Sequence, residues 1–295
     1  MSGFNEKTSS SLNPQNIQWT PVAVASSTLV APKPFAPLQK AFTPPPSPST
    51  VLTNLRNKVP QFAKQIMIFD TETTDKHPTS HIVQLSYIIY DLHYQTITKT
   101  YDQYVKLPDD VQIAPGAQQV HGISREMCAS QGRSIVSVLK EFYTDFNNMD
   151  VVIAHNIDFD SQIINNEMAR NFKELKSDCP YCLNLFNWSY MKDLQITRIC
   201  TMRDTTNLCC LPKNYKYKKP ANPNPYEYKW PTLKELHGHL FDYEVDSTTL
   251  HNALIDCFVC LQCYAKVYHN IVIDRNELQF LLDTANGFTE INLDD

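Results

Sequence analysis

The sequence predicts an α/β protein in which a mixed sheet is covered by helices, and three patterns carry that expectation. Two apolar runs close together, 66–69 and 82–90, are followed by an alternating stretch at 96–105, the pattern of an antiparallel meander. Residues 134–149 then change to helical spacing, through Ile135, Val136, Val138, Leu139, Phe142 and Phe146. Directly after them, Val151-Val152-Ile153-Ala154 reads as another buried strand. Strands first, then helices alternating with strands, place helices on a sheet of mixed direction.

Taken in order, residues 1–60 are rich in Ser, Thr, Pro and Asn, with Pro44-Pro45-Pro46 and Pro48 close together. Such a composition buries too little surface to offset chain entropy, so a disordered arm is expected, with a proline-rich docking site for a protein partner as the alternative. Order is expected from 61 to 272. The first strand starts near Gln65, and the second runs through Ile82, Leu85, Tyr87, Ile88, Ile89 and Tyr90 to a turn near His93. A helix is expected over 159–172, then an irregular insertion over 174–230, a short helix over 232–240 and a long one over 249–268. Ser247, Thr248 and Thr249 offer N-caps for the long helix, whose apolar residues lie all round and predict burial. A C-terminal helix and acidic tail are expected over 273–295.

At 295 residues and 42% apolar, the chain has material for a substantial core. It lacks any run of about 18 apolar residues, and its N-terminus lacks the charged, apolar and small-residue order of an export signal, so neither membrane insertion nor secretion is expected. Nine cysteines, an odd number away from framework spacings, suit a reducing intracellular setting, cytoplasmic or nuclear. A net charge of −5 argues against coating nucleic acid through the overall field, but leaves room for a local basic groove. The segment 213–230 offers one, interleaving Lys216, Lys218, Lys219 and Lys229 with Tyr215, Tyr217, Tyr226, Tyr228 and Trp230, with a solvated, proline-broken loop as the alternative. Cys179 and Cys182 have the spacing of half a zinc site, with Cys200, Cys209 and Cys210 nearby in sequence, but no second pair completes it. Cys257, Cys260 and Cys263 recur every third residue of the long helix, which fits small apolar packing.

Three segments carry chemistry. Asp70-Thr71-Glu72 follows the first apolar run, and residues two apart on a strand share a face, so the two carboxylates stand side by side. Adjacent anions repel unless a cation lies between them, and a hard divalent ion, Mg²⁺ first, meets that need. Next, the strand 151–154 runs into His155-Asn156 and a helix whose first turn carries Asp160, where an anion is favoured. Asp158 and Asp160 could equally be capping acids. Finally, His251 precedes Asp256 by five residues at the start of the long helix. With an ordinary pKa of roughly 6.5, histidine can accept a proton near neutrality. Asp256 sits among Ile255, Cys257 and Phe258, so it needs a partner, either a metal ion or a core arginine.

Together, Phe69-Asp70-Thr71-Glu72-Thr73, His155-Asn156-x-x-Phe159-Asp160 and His251-x4-Asp256 resemble the three motifs of the DEDDh 3′→5′ exonucleases, in order. Val120-His121-Gly122-Ile123-Ser124 resembles the His-Gly-Ile turn those domains place between the first two motifs. The likeness runs from about Gln65 to Tyr268. It implies an RNase H-like fold with a mixed five-stranded sheet flanked by helices. It also implies Asp70, Glu72, Asp160 and Asp256 as ligands of two divalent ions, Mg²⁺ or Mn²⁺, with His251 as general base, and release of nucleoside 5′-monophosphates. The subgroup with a tyrosine base carries it four residues before the acid, where this chain has Asn252, so the histidine subgroup is implied. Thr71, Thr73, His121, Asn156 and Phe159 are the candidate contacts of the terminal nucleotide at the 3′ end of a single strand of DNA or RNA, with a core residue as the alternative for Phe159 and a structural turn histidine as the alternative for His121. Asp75 stands where relatives often have glycine, which changes the loop after the first motif. The rival expectation is a non-catalytic module that keeps the fold and binds nucleic acid or a polymerase; the presence of all five reactive residues argues against it.

Overall fold

A strand of four consecutive apolar residues must be covered on both faces, and this requirement organises the molecule. The computed structural model describes residues 44–213, 224, 227–243, 245 and 250–274, all within one of the chain's two units, Phe42–Asp295. β1 (Gln65–Thr73), β2 (Ile82–Asp91) and β3 (Thr96–Tyr104) form the expected antiparallel meander. β4 (Val151–Ala154) and β5 (Thr197–Cys200) add in parallel on the other side of β1. The order β3-β2-β1-β4-β5 confirms a mixed five-stranded sheet with β1 at its centre.

Alternation along β1 separates two cores. Met67 and Phe69 join Leu85, Tyr87, Val152 and Ala154 under α4 (Ile135–Phe146) and α5 (Ile157–Arg170). Ile66 and Ile68 join Ile88, Tyr90, Val151 and Ile153 on the opposite face. That face is covered by α11 (Ala253–Tyr264), a π-helical turn at Ala265–His269, and α1 (Pro48–Arg56). α11 is buried on nearly every side, as its apolar composition predicts. Between β3 and α4 lie α2 (Pro115–His121) and α3 (Arg125–Gln131).

Several boundaries differ from expectation. The disorder expected through residue 60 does not hold over Pro48–Arg56, because α1 is a docked helix with Val51 and Leu55 buried. Proline at its first turn sacrifices no hydrogen bond, and the Ser47 hydroxyl caps the Thr50 amide, so a Pro/Ser-rich composition conceals a stable helix start. The insertion expected to be irregular over 174–230 holds α6 (Phe172–Asp178), a 3₁₀ turn at Pro180–Asn184, α7 (Trp188–Asp193), β5, α8 (Thr201–Asp204) and α9 (Thr206–Cys209). These pieces are too short for periodicity to register. α10 (Leu233–Leu240) starts with a capping box between Thr232 and Glu235. α11 begins later than predicted, with Asn252 as its N-cap; Ser247, Thr248 and Thr249 lie outside the described residues. So do residues 1–43 and 275–295, and most of the basic–aromatic stretch, including Tyr215, Lys216, Tyr217, Lys218, Lys219 and Tyr226. Among the described residues, no helix is long and apolar enough to cross a membrane.

Candidate active site

β1 outruns its parallel neighbour. Pairing with β4 ends at Ile68–Ile153, while β1 continues to Thr73 against β2 alone. The chain leaves β4 through Asn156, which adopts a left-handed conformation (φ 81°) that asparagine tolerates better than most residues. α5 starts immediately afterwards, and its first turn brings Asp160 to the vacated edge of β1, where Oδ1 accepts the Thr71 hydroxyl at 2.8 Å. From the opposite face, the first turn of α11 supplies Asp256. Asp70, Glu72 and Asp256 each offer an oxygen within 4.8 Å of the others, with Asp160 almost wholly buried beside them.

Electrostatics at this cluster are one-sided. Burial pushes the Asp70 carboxyl well above its ordinary range, and the charges of Asp160, Asp256 and Glu72 push it further. Glu72 is raised by burial and then by Asp256 and Asp160. Asp160 and Asp256 are raised by burial, opposed at Asp160 by the Thr71 hydroxyl and at Asp256 by the His251 amide. Crowded, half-desolvated carboxylates with all-oxygen donors suit a hard divalent cation, so the residues present fit Mg²⁺ or Mn²⁺. Among the described residues this is the group of acids, histidines and cysteines that gathers closely enough for a metal; the cysteines at 179–210 do not.

Around the acids, each expected contact has a definite place. His251 is exposed at the rim with φ 72°, and its amide reaches both Asp256 oxygens at 3.3 and 3.4 Å. His121 ends α2, which hangs from β1 through the Ala114 amide on the Thr74 carbonyl. Its Nδ1 accepts the Ile123 amide at 3.0 Å, while Nε2 is buried without a hydrogen bond of good geometry. Burial lowers the His121 pKa, the Thr73 backbone partly offsets this, and neighbouring His251 lowers it again. Gly122 follows at φ 73°, where a side chain would be strained. The Thr73 hydroxyl is committed to the Asp75 carbonyl at 2.7 Å, fixing the start of the loop after β1. Phe159 packs half-buried on the core, so its ring supports α5. His155 is structural: Nε2 donates to the Pro231 carbonyl and Nδ1 pairs with the Thr201 hydroxyl, both at 3.0 Å, and burial lowers its pKa to about 4.

Sequence reasoning left the role of Asp158 open and missed its partners. Arg198, at 2.6 Å, and Arg203 neutralise Asp158, which removes it from the metal-binding set. Arg198 also bonds Ser161 at 2.9 Å and opposes the rise at Asp160. No local pattern marks an isolated arginine in a four-residue strand. Gln84 and Ser86, which lie across β2 from Glu72 and Asp70, did leave a signal: two polar residues at alternate positions of an apolar strand.

Residues 67–264, more than half of the chain, match the RNase T exonuclease family, and the chain belongs to that family, the DEDD-type exonucleases of RNase H-like fold. Solved structures that share the fold include E. coli exonuclease I in complex with a dA16 oligonucleotide, with a TM-score of 0.51 and 16% identity, covering 75% of this chain and 43% of that one. A zinc-bound form of the E. coli enzyme with single-stranded DNA gives 0.50 and 18% over the same shares. Exonuclease I in complex with the inhibitor BCBP gives 0.52 and 17%, covering 75% of this chain and 44% of that one. This chain thus spans less than half the length of those structures. No curated protein matches it in sequence.

Proposed function

We propose that this protein is a 3′→5′ exonuclease that hydrolyses the terminal phosphodiester of a single-stranded nucleic acid and releases nucleoside 5′-monophosphates. The observation that carries the reading is the convergence of Asp70, Glu72 and Asp256 within 4.8 Å, with Asp160 buried behind them. Asp70, Glu72, Asp160 and Asp256 would hold two Mg²⁺ or Mn²⁺ ions. When bound, the ions supply Lewis-acid stabilisation of the charge that builds on the attacking and leaving oxygens.

The chain's own residues do the rest. His251, exposed at the rim beside Asp256, takes the proton of the attacking water as its oxygen bonds to phosphorus and the bond to the neighbouring 3′-oxygen breaks. Thr71 orients Asp160, and Thr73 fixes the loop through Asp75. His121 Nε2 and the Asn156 side chain are the polar groups assigned to the terminal nucleotide. Single-strand preference is supported by the ligands of the exonuclease I structures, a dA16 oligonucleotide and single-stranded DNA.

Digestion of a 5′-labelled single strand, as DNA and as RNA, tests this. Wild-type protein with Mg²⁺ should give a ladder shortening from the 3′ end, a chelator should abolish it, and Asp160→Asn should be inactive. Equal activity in Asp160→Asn and wild type, or shortening from the 5′ end, would sink the mechanism.

A further inference from the structure

The start of α11 carries His251, the Asn252 cap and Asp256, so its placement against the sheet sets where Asp256 stands in the cluster. Helix starts leave amides without partners, and here each finds one. Leu254 and Ile255 amides donate to Asn252 Oδ1 at 3.1 and 3.3 Å, and the Asp256 amide donates to the Asn252 carbonyl at 2.9 Å. The Ala253 amide alone reaches the sheet, donating to Gln84 Oε1 at 3.3 Å. Gln84 is fully buried and lies directly opposite Glu72 in the β1–β2 register.

An amide side chain can present either end, so something must select the carbonyl for Ala253. Asp102 on β3 does so. Its Oδ1 accepts Gln84 Nε2 at 2.7 Å and the Ser86 hydroxyl at 2.6 Å. Desolvation of the carboxyl raises the Asp102 pKa, and these two hydrogen bonds oppose the rise. Asp102 Oδ1, already taking the Ser86 hydroxyl, accepts here, so it holds the NH₂ group and turns the carbonyl toward the helix.

We propose that Gln84, oriented by Asp102, is a positioning residue for the metal site: it docks the first turn of α11 on the sheet and so sets where Asp256 stands relative to Asp70 and Glu72. The inference rests on the proposed metal-binding role of these acids. Outer partners that orient ligands change metal affinity when removed, on the order of tenfold or more.

Direct titration of the full-length protein with Mn²⁺, following free ion by electron paramagnetic resonance without nucleic acid, tests the idea apart from activity. Gln84→Met should weaken Mn²⁺ binding on the order of tenfold. Gln84→Glu sets two carboxylates face to face and should also bind poorly. Adding Asp102→Asn to Gln84→Glu should restore binding, because the introduced carboxylate then accepts from both the Ala253 amide and the new side-chain amide. Native affinity in Gln84→Met overturns the proposal, as does a double variant no better than Gln84→Glu. A purely structural role would lower the melting temperature of Gln84→Met and leave its Mn²⁺ affinity unchanged. Should Gln84→Met fail to fold, the gain from Gln84→Glu to the double variant decides. Absence of Mn²⁺ binding in the native protein would instead refute the metal-site reading, and this inference with it.

Discussion

Asp70, Glu72, Asp160 and Asp256 stand where burial and mutual repulsion both oppose ionisation. In the unfolded chain such carboxyls ionise near about 4. In the folded, metal-free protein Glu72 is raised to about 8 and Asp160 and Asp256 to about 7. Between those limits the folded state holds protons that the unfolded state has released, so stability falls as pH rises from about 4 to about 8. Melting temperatures of chelated protein should decline across that window, and added Mg²⁺ should recover most at its upper end. Glu72→Gln should melt higher than wild type at pH 8 in chelator and gain less from Mg²⁺; a lower melting temperature would show that repulsion at the cluster is already compensated. His251 is a separate matter, because the proposed function gives it a proton to take and no ion to hold. His251→Ala should leave Mn²⁺ binding intact while the single-turnover rate drops by about 10²–10⁴-fold, the usual worth of a general base.

At the scale of elements, α11 depends on one residue for two of its first amides. Asn252→Ala should destabilise the protein by about 1 kcal/mol, the usual worth of an N-cap. It should also cut activity, because the cap lies between His251 and Asp256; thermal melts and initial rates would check the pair of effects, and a melt shift with full activity would separate cap from site. The elements that carry the site were legible in sequence for a physical reason. β1, β2, β4 and α11 are long or uniformly apolar, and the acids and histidines at their ends are residues that apolar packing does not explain. β5 and the short helices of 172–209 were not, since four residues of a strand make only two periods and four to seven residues of a helix make less than two. α1 was hidden by its prolines, although Val51 and Leu55 already had helical spacing. Side-chain chemistry in the site was legible where one motif held both partners, as with Asp70 and Glu72. It was illegible where a partner came from elsewhere in the chain, as Arg198 does for Asp158, Asp102 for Gln84 and Thr201 for His155.

For the whole molecule, the two cores share β1 and the site lies at one end of that strand, so damage at the other end should affect stability and chemistry differently. Leu55 is buried at 4% exposure in the core formed by α1, the turn after α11 and the back of the sheet. There Arg56 Nε bonds the Val267 carbonyl at 3.2 Å and Lys58 pairs with Asp204 at 2.5 Å. α1 therefore holds the π-helical turn that follows α11, with Val267 eleven residues, about three turns, beyond Asp256. Leu55→Ala removes methyl groups from a closed core and should cost about 2–5 kcal/mol. Leu55 shares this core with Leu254, Cys257 and Phe258 of α11; if the two ends of the core nevertheless act independently, Mn²⁺ affinity should stay within about twofold, as expected for distant residues without shared hydrogen-bond partners. A coupled loss of affinity would mean that α11 moves as a rigid lever, with its docking by α1 transmitted to Asp256. Denaturant melts of Leu55→Ala alongside Mn²⁺ titrations decide between the two. Independence is the expected result, because Asn252 and Gln84 fix the helix at its Asp256 end without help from α1.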